Sequence, residues 1–202
     1  MDMMKKNKNM LVVLPLLCLL ASCVEAPVPH VATPLTLDYT RLGAIKLAVS
    51  KLDFINFSPM MAKPDAAPVA AFKPQLADAA YRWGLDRLQP MGTQGSAVFK
   101  ISNATMTRSK LPVQGGIEGW FKRSQAEKWI GQITVELRVT DAPNGLSGSA
   151  SATVTRSTTL PEEASVSEQE NAYRRLLLGM MDDLNTQMPA SLQQNLNAVL
   201  LP

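Results

Sequence analysis

The only histidine, His30, stands among Pro27, Pro29 and Pro34, where no pocket can gather around an imidazole. There are two cysteines, Cys18 inside an apolar run and Cys23 just behind it. Without a histidine in a foldable segment, Cys-His and Ser-His-Asp catalysis drop out, and so does an imidazole-based metal site. Carboxylates are paired at Glu162/Glu163 and Asp182/Asp183. Sequence neighbours of this kind are usually solvated, whereas a carboxylate hydrolase needs two acids converging on a cleft. Gly115-Gly116 has neither the preceding fingerprint of a phosphate loop nor a following Lys-Ser/Thr. The expectation is a non-catalytic chain with no cofactor and no metal.

Cys23 is the one residue whose setting points to a reaction. Lys5, Lys6 and Lys8 precede an apolar run from Met10 to Leu20. That run falls short of the ~20 residues a membrane-spanning helix needs, and a basic start with a short apolar core reads as a secretory signal. Leu20-Ala21-Ser22-Cys23 resembles the lipobox of bacterial lipoproteins. The resemblance implies diacylation of the Cys23 thiol, cleavage that removes residues 1–22, and a further acyl chain on the new amino group. The alternative is an ordinary signal peptide that happens to contain two cysteines. On the lipoprotein reading Cys18 is lost with the signal, and the mature chain keeps neither a free thiol nor a disulfide. Three acyl chains make a permanent anchor, where one chain binds only marginally. Val24 occupies the position where Asp signals inner-membrane retention in the enterobacterial sorting rule. The expected address is therefore the periplasmic face of the outer membrane, with the inner membrane as the other possibility.

The 202 residues fit one domain with appendages, and 46% of them are hydrophobic, enough for a sizeable core. The formal charge is +3, but leaving out Asp2, Lys5, Lys6 and Lys8 leaves 17 basic against 16 acidic residues. A nearly neutral chain has no electrostatic footprint for nucleic acid.

The elements that would position any site follow from periodicity. Val24 to Pro34 is a Pro-rich tether, and the lipidated N-terminus and tether together occupy 23–40. Ile45, Leu47 and Val49 begin a strand that ends near Leu52 to Ile55. The irregular stretch from Asn56 to Lys73 is either functional or folds Met60, Met61, Val69 and Phe72 over an open edge of the core. Pro74 to Leu88 spaces as a helix stopped by Pro90, with Gly84 on its inner face close to the sheet. A strand from Gly95 to Ser109 carries a bulge near Asn103-Ala104. Then Trp129 to Val139 and Leu146 to Val154 alternate apolar with polar around an Asn144-Gly145 turn, which is a long hairpin with one dry face. A final helix has capping-box spacing at Ser167 and Glu170, a stripe from Tyr173 through Leu177, Met180 and Met181 to Met188, and a stop at Pro189. The stripe reads as core or as an adaptable ligand surface. Residues 189–202 would form a short amphipathic tail, leaving 41–188 as the folded domain. The fold class is α+β, a four-stranded mainly antiparallel sheet in the order β-α-β-β-β-α with two helices packed on one face.

One segment stands apart. Gly115, Gly116 and Gly119 lead into Trp120, Phe121, Lys122 and Arg123, an aromatic pair beside two cations. That pairing suits a partner protein or a membrane surface, or else the rings fold onto the core. Ala80-Tyr-Arg-Trp-Gly-Leu-Asp-Arg-Leu88, Gln125-Ala-Glu127, Thr155-Arg-Ser-Thr-Thr-Leu-Pro-Glu162 and Met180-Met-Asp-Asp-Leu-Asn185 resemble a family of alphaproteobacterial lipoproteins of unassigned activity. In topology the chain is also similar to auxiliary lipoproteins of lipid-transporting ABC systems and to lipopolysaccharide-assembly lipoproteins. The resemblance implies an accessory component docking on an envelope complex, or a carrier holding a lipid or acyl chain between helices and sheet. A pocket lined by Met180, Met181 and Trp83 would mark the carrier, and a filled interior the docking module.

Overall fold

The alternation from Trp129 to Thr155 folds into two long antiparallel strands, β6 (Gln125–Ala142) and β7 (Leu146–Pro161), in a computed structural model that describes residues 35–56, 67–68, 72–111 and 125–202. Trp129, Ile133, Val135, Leu137 and Val139 of β6 are buried, and so are Ala150, Ala152 and Val154 of β7. Asn144 at φ 64° and Gly145 at φ 69° make the reversal, as the Asn-Gly pair predicts. The next strand inward, β5 (Ser96–Lys110), pairs antiparallel with β6 and slips register between Ile101 and Asn103, so the bulge falls at Ser102, just before the expected Asn103-Ala104.

The first predicted strand is two. β1 (Ile45–Leu47) and β2 (Lys51–Asn56) are separated because Leu47, Ala48 and Val49 are buried in succession, which one half-buried strand cannot do. Helix α1 (Leu76–Arg87) crosses over, so that β2 pairs parallel with β5 and β1 pairs parallel with the short β4 (Leu88–Pro90). A two-residue β3 (Ala67–Pro68) adds to the far end of β5. The main sheet runs β2-β5-β6-β7, mixed but mostly antiparallel, with both helices on one face. This is the fold class read from the periodicities.

Helix α1 starts at Leu76, two residues after the expected Pro74, on a capping box between Gln75 and Asp78. Gly84 lies on its inner face, as expected. A Cβ there would fall 2.9 Å from the rings of both Phe54 and Phe99. Helix α2 (Val166–Asn195) differs from expectation at both ends. Its cap is Ser165 with Glu168, not Ser167 with Glu170, and Pro189 lies inside it. At ~1.5 Å per residue its 30 residues cover about 45 Å, most of the ~53 Å that the 16 residues of β7 span at ~3.3 Å each. The small residues of the hairpin receive its large ones. Met180 fills the space in front of Gly131, and Leu196 comes within 3.1 Å of a Cβ placed on Gly148.

The residues after Pro189 belong to the same core. Met188, Leu192, Leu196 and Val199 are buried. The chain then returns to β1, with Ala48 N–H donating to the Val199 carbonyl at 2.8 Å and Leu201 N–H donating to Lys46 at 2.9 Å. The helix-free face of the sheet is polar, with Ser149, Ser151, Thr153, Thr155 and Ser157 of β7 exposed on it. No helix among the described residues is long and apolar enough to cross a membrane.

Candidate functional site

Cys23 and the four residues Trp120, Phe121, Lys122 and Arg123 lie outside the described residues. The strands that flank the aromatic segment are described. Lys110 pairs with Glu127, so the segment joins the end of the β5–β6 hairpin. Just inside that end, Phe72 packs against Trp129 and Tyr173 with ring centroids 6.3 and 5.4 Å apart. Trp129 donates from Nε1 to Glu127 at 3.0 Å, and the Tyr173 hydroxyl donates to the Pro74 carbonyl at 2.7 Å. Burial, with Asp78 nearby, pushes the Tyr173 phenol up to about 12.

Among the described residues, the interior between helices and sheet is filled at Trp83, Met180 and Met181. Met180 and Trp83 are 0% exposed and Met181 1%. Trp83 stacks at 5.8 Å on Phe99 and donates from Nε1 to Asn185 at 3.1 Å, tying α1 to α2. The Leu/Met stripe of α2 is core.

Two surface features have no counterpart in the periodic reading. The first is a strap. Leu35, Leu37 and Tyr39, within the stretch expected to be tether, pack against the core. Tyr39 N–H donates to Asp86 at 3.1 Å, and the buried Arg87 reaches across to the carbonyls of Leu42 and Gly43. Alternation of Leu35, Leu37 and Tyr39 with Thr36 and Asp38 is the signal that could have found it.

The second is the edge of β7, which α2 follows. Ser151 N–H donates to Ser191 Oγ at 3.2 Å. Arg156 lies against Gly179 and grips Asp183 through Nε and Nη2 at 2.5 and 2.9 Å. That hydrogen bonding and charge hold the Asp183 carboxyl below its ordinary value. Beyond Arg156 strand and helix part around a recess of about 190 Å³, lined by Thr159, Leu160 and Pro161 on one side and by Glu168, Asn171, Ala172 and Arg175 on the other. The paired acids do not converge: Asp182 is exposed, and Asp183 is half-buried and taken by Arg156. Among the described residues no three metal-ligating side chains stand together.

No family model matches the chain, and no curated protein matches its sequence. Among solved structures, the chain is similar in fold to bacterial lipoproteins at low identity. A minor lipoprotein from Acinetobacter baumannii aligns with 77% of this chain and 98% of its own at 16% identity and a TM-score of 0.37. The rare lipoprotein B from Shewanella oneidensis aligns over 69% and 92% at 10% identity and a TM-score of 0.38. An uncharacterized lipoprotein B from Nitrosomonas europaea aligns over 81% and 93% at 12% identity and a TM-score of 0.36.

Proposed function

We propose that this protein is a non-catalytic lipoprotein of the bacterial envelope, anchored through acyl chains on Cys23 at the periplasmic face of the outer membrane, that docks as an accessory component on an envelope protein complex. The observation that carries the docking reading is the filled interior at Met180, Met181 and Trp83, the place where a carried acyl chain would otherwise sit. Leu20-Ala21-Ser22-Cys23 supports the anchor. Trp120 and Phe121, with Lys122 and Arg123, are the proposed partner contact, joined to a hairpin end that is already sealed by Phe72, Trp129 and Tyr173.

The test is the double substitution Trp120→Ala with Phe121→Ala. A contact pair leaves the melting temperature close to wild type and weakens partner capture from solubilised membranes by about thirtyfold, the loss typical of hot-spot aromatics. If the rings are core, stability falls by several kcal/mol instead, since each such truncation costs about 3–5 kcal/mol. That result would end the contact assignment.

A further inference from the structure

We propose that the open half of the β7–α2 groove, from Ser157 to Pro161 opposite Glu168 to Arg175, takes a short extended peptide from a partner protein, added as a strand to the β7 edge with an acidic group directed at Arg175. The inference deepens the docking reading and rests on it.

The phase of β7 decides what its edge offers. Ser151 gives its N–H to α2 and not to β6, so Ser151 and every second residue after it turn their main-chain groups outward. Thr153, Thr155, Ser157 and Thr159 share that phase, and their side chains stand on the polar face of the sheet. Free edges are ordinarily blunted by proline, lysine, bulges or a covering element. Here the cover is partial. Ser191 takes the N–H of Ser151, and the Arg156–Asp183 pair bridges strand to helix five residues further on. From Ser157 no bridge between β7 and α2 is found among the described residues until Pro161 ends the strand. An added strand therefore meets outward main-chain groups at Ser157 and Thr159, and neutral hydroxyls beside them. Main-chain bonds of this kind give affinity, and pockets for alternate side chains give selectivity.

The recess supplies the selectivity. Leu160 and Ala172 are buried and give it an apolar floor. Its volume of about 190 Å³ suits one side chain. Of the two charges at its rim, Glu168 is committed, since its carboxylate accepts from the N–H and Oγ of Ser165 at 2.8 and 2.9 Å. Arg175 is exposed and has no partner among the described residues. The uncommitted charge is positive, so the complementary group on the peptide is a carboxylate.

The experiment selects a phage-displayed random dodecapeptide library on the full chain in detergent. Synthetic copies of the enriched peptides are then titrated by fluorescence anisotropy. Enriched sequences should carry Asp or Glu. Thr159→Pro removes an outward N–H without touching the β6 ladder and should weaken binding by about tenfold or more. Arg175→Glu, a surface change on α2, should do the same and shift the enriched set toward Lys and Arg. An absence of enrichment, or equal binding by wild type and Arg175→Glu, overturns the proposal, even if Thr159→Pro proves poorly folded. Capture through Trp120 and Phe121 is judged by its own assay, so failure of the groove and failure of the docking reading are separate results.

Discussion

At the scale of single residues, Tyr173 connects the end of the core to a measurable titration. Its hydroxyl is held by the Pro74 carbonyl, and its phenol is raised from 10.0 to about 12, first by burial and then by the charge of Asp78. A raised folded-state value means the unfolded chain gives up this proton first. The contribution is fully present below pH ~10, the unfolded value, and is lost as pH rises toward the folded one. Urea midpoints should therefore fall between pH ~10 and ~12. Tyr173→Phe should flatten part of that fall and lose about 1 kcal/mol at neutral pH. A slope identical in wild type and variant would show that Tyr173 does not titrate with unfolding. Tyr39, also raised by burial, leaves a residual slope in the variant. Some residue-level roles were legible beforehand and some were not. The inner-face position of Gly84 announces close approach, but nothing in the sequence says that Met180 fills the space before Gly131, because that match depends on the register of α2 over β6.

At the scale of elements, the period-two segments are what the sequence states most clearly, since burial of one face fixes the side on which each residue lies. Helix ends are less legible. Ser165-Val-Ser-Glu168 and Ser167-Glu-Gln-Glu170 offer the same capping chemistry two residues apart. The first is used, with Ala164 packed on the core and Gln169 donating to its carbonyl at 2.9 Å. Pro189 is a true stop signal that packing overrides. Met188, Leu192 and Leu196 continue the buried stripe at spacings of four, so ending the helix would expose them. Pro189 lacks the N–H that would reach the Asn185 carbonyl. Pro189→Ala should restore that bond and raise stability by about 1 kcal/mol, or about 2–4 °C in Tm for a domain of this size. A lower Tm would mean that the proline's fixed φ is itself needed for Leu192 and Leu196 to stay buried.

At the scale of the whole molecule, the proposed anchor and the domain are read from the sequence for different reasons. The anchor is a local word of four residues, and its test is equally direct. Cys23→Ser should abolish fatty-acid incorporation and leave an unprocessed precursor, whereas labelling that survives in the variant would refute lipidation there. The candidate contacts were less legible. Trp120 and Phe121 stand out by composition, but the β7–α2 groove is made by residues of one strand and one helix that no spacing rule brings together. The strap from Leu35 to Leu42 was hidden because it follows a Pro-rich stretch and falls within the residues expected to be tether, although it alternates like a strand. The stitching of β1 has a further consequence. Its three residues lie between β4 on one side and the chain around Leu200 on the other. A chain that arrives N-terminus first, from a ribosome or through a channel, can close the β6–β7 hairpin as soon as residue 161 is out. It cannot secure β1 until residues some 150 positions later have appeared. Until then β1 is paired on its β4 side only, the strap is held to α1 through Asp86 and Arg87, and the last seam of the fold to close is the one between its two ends.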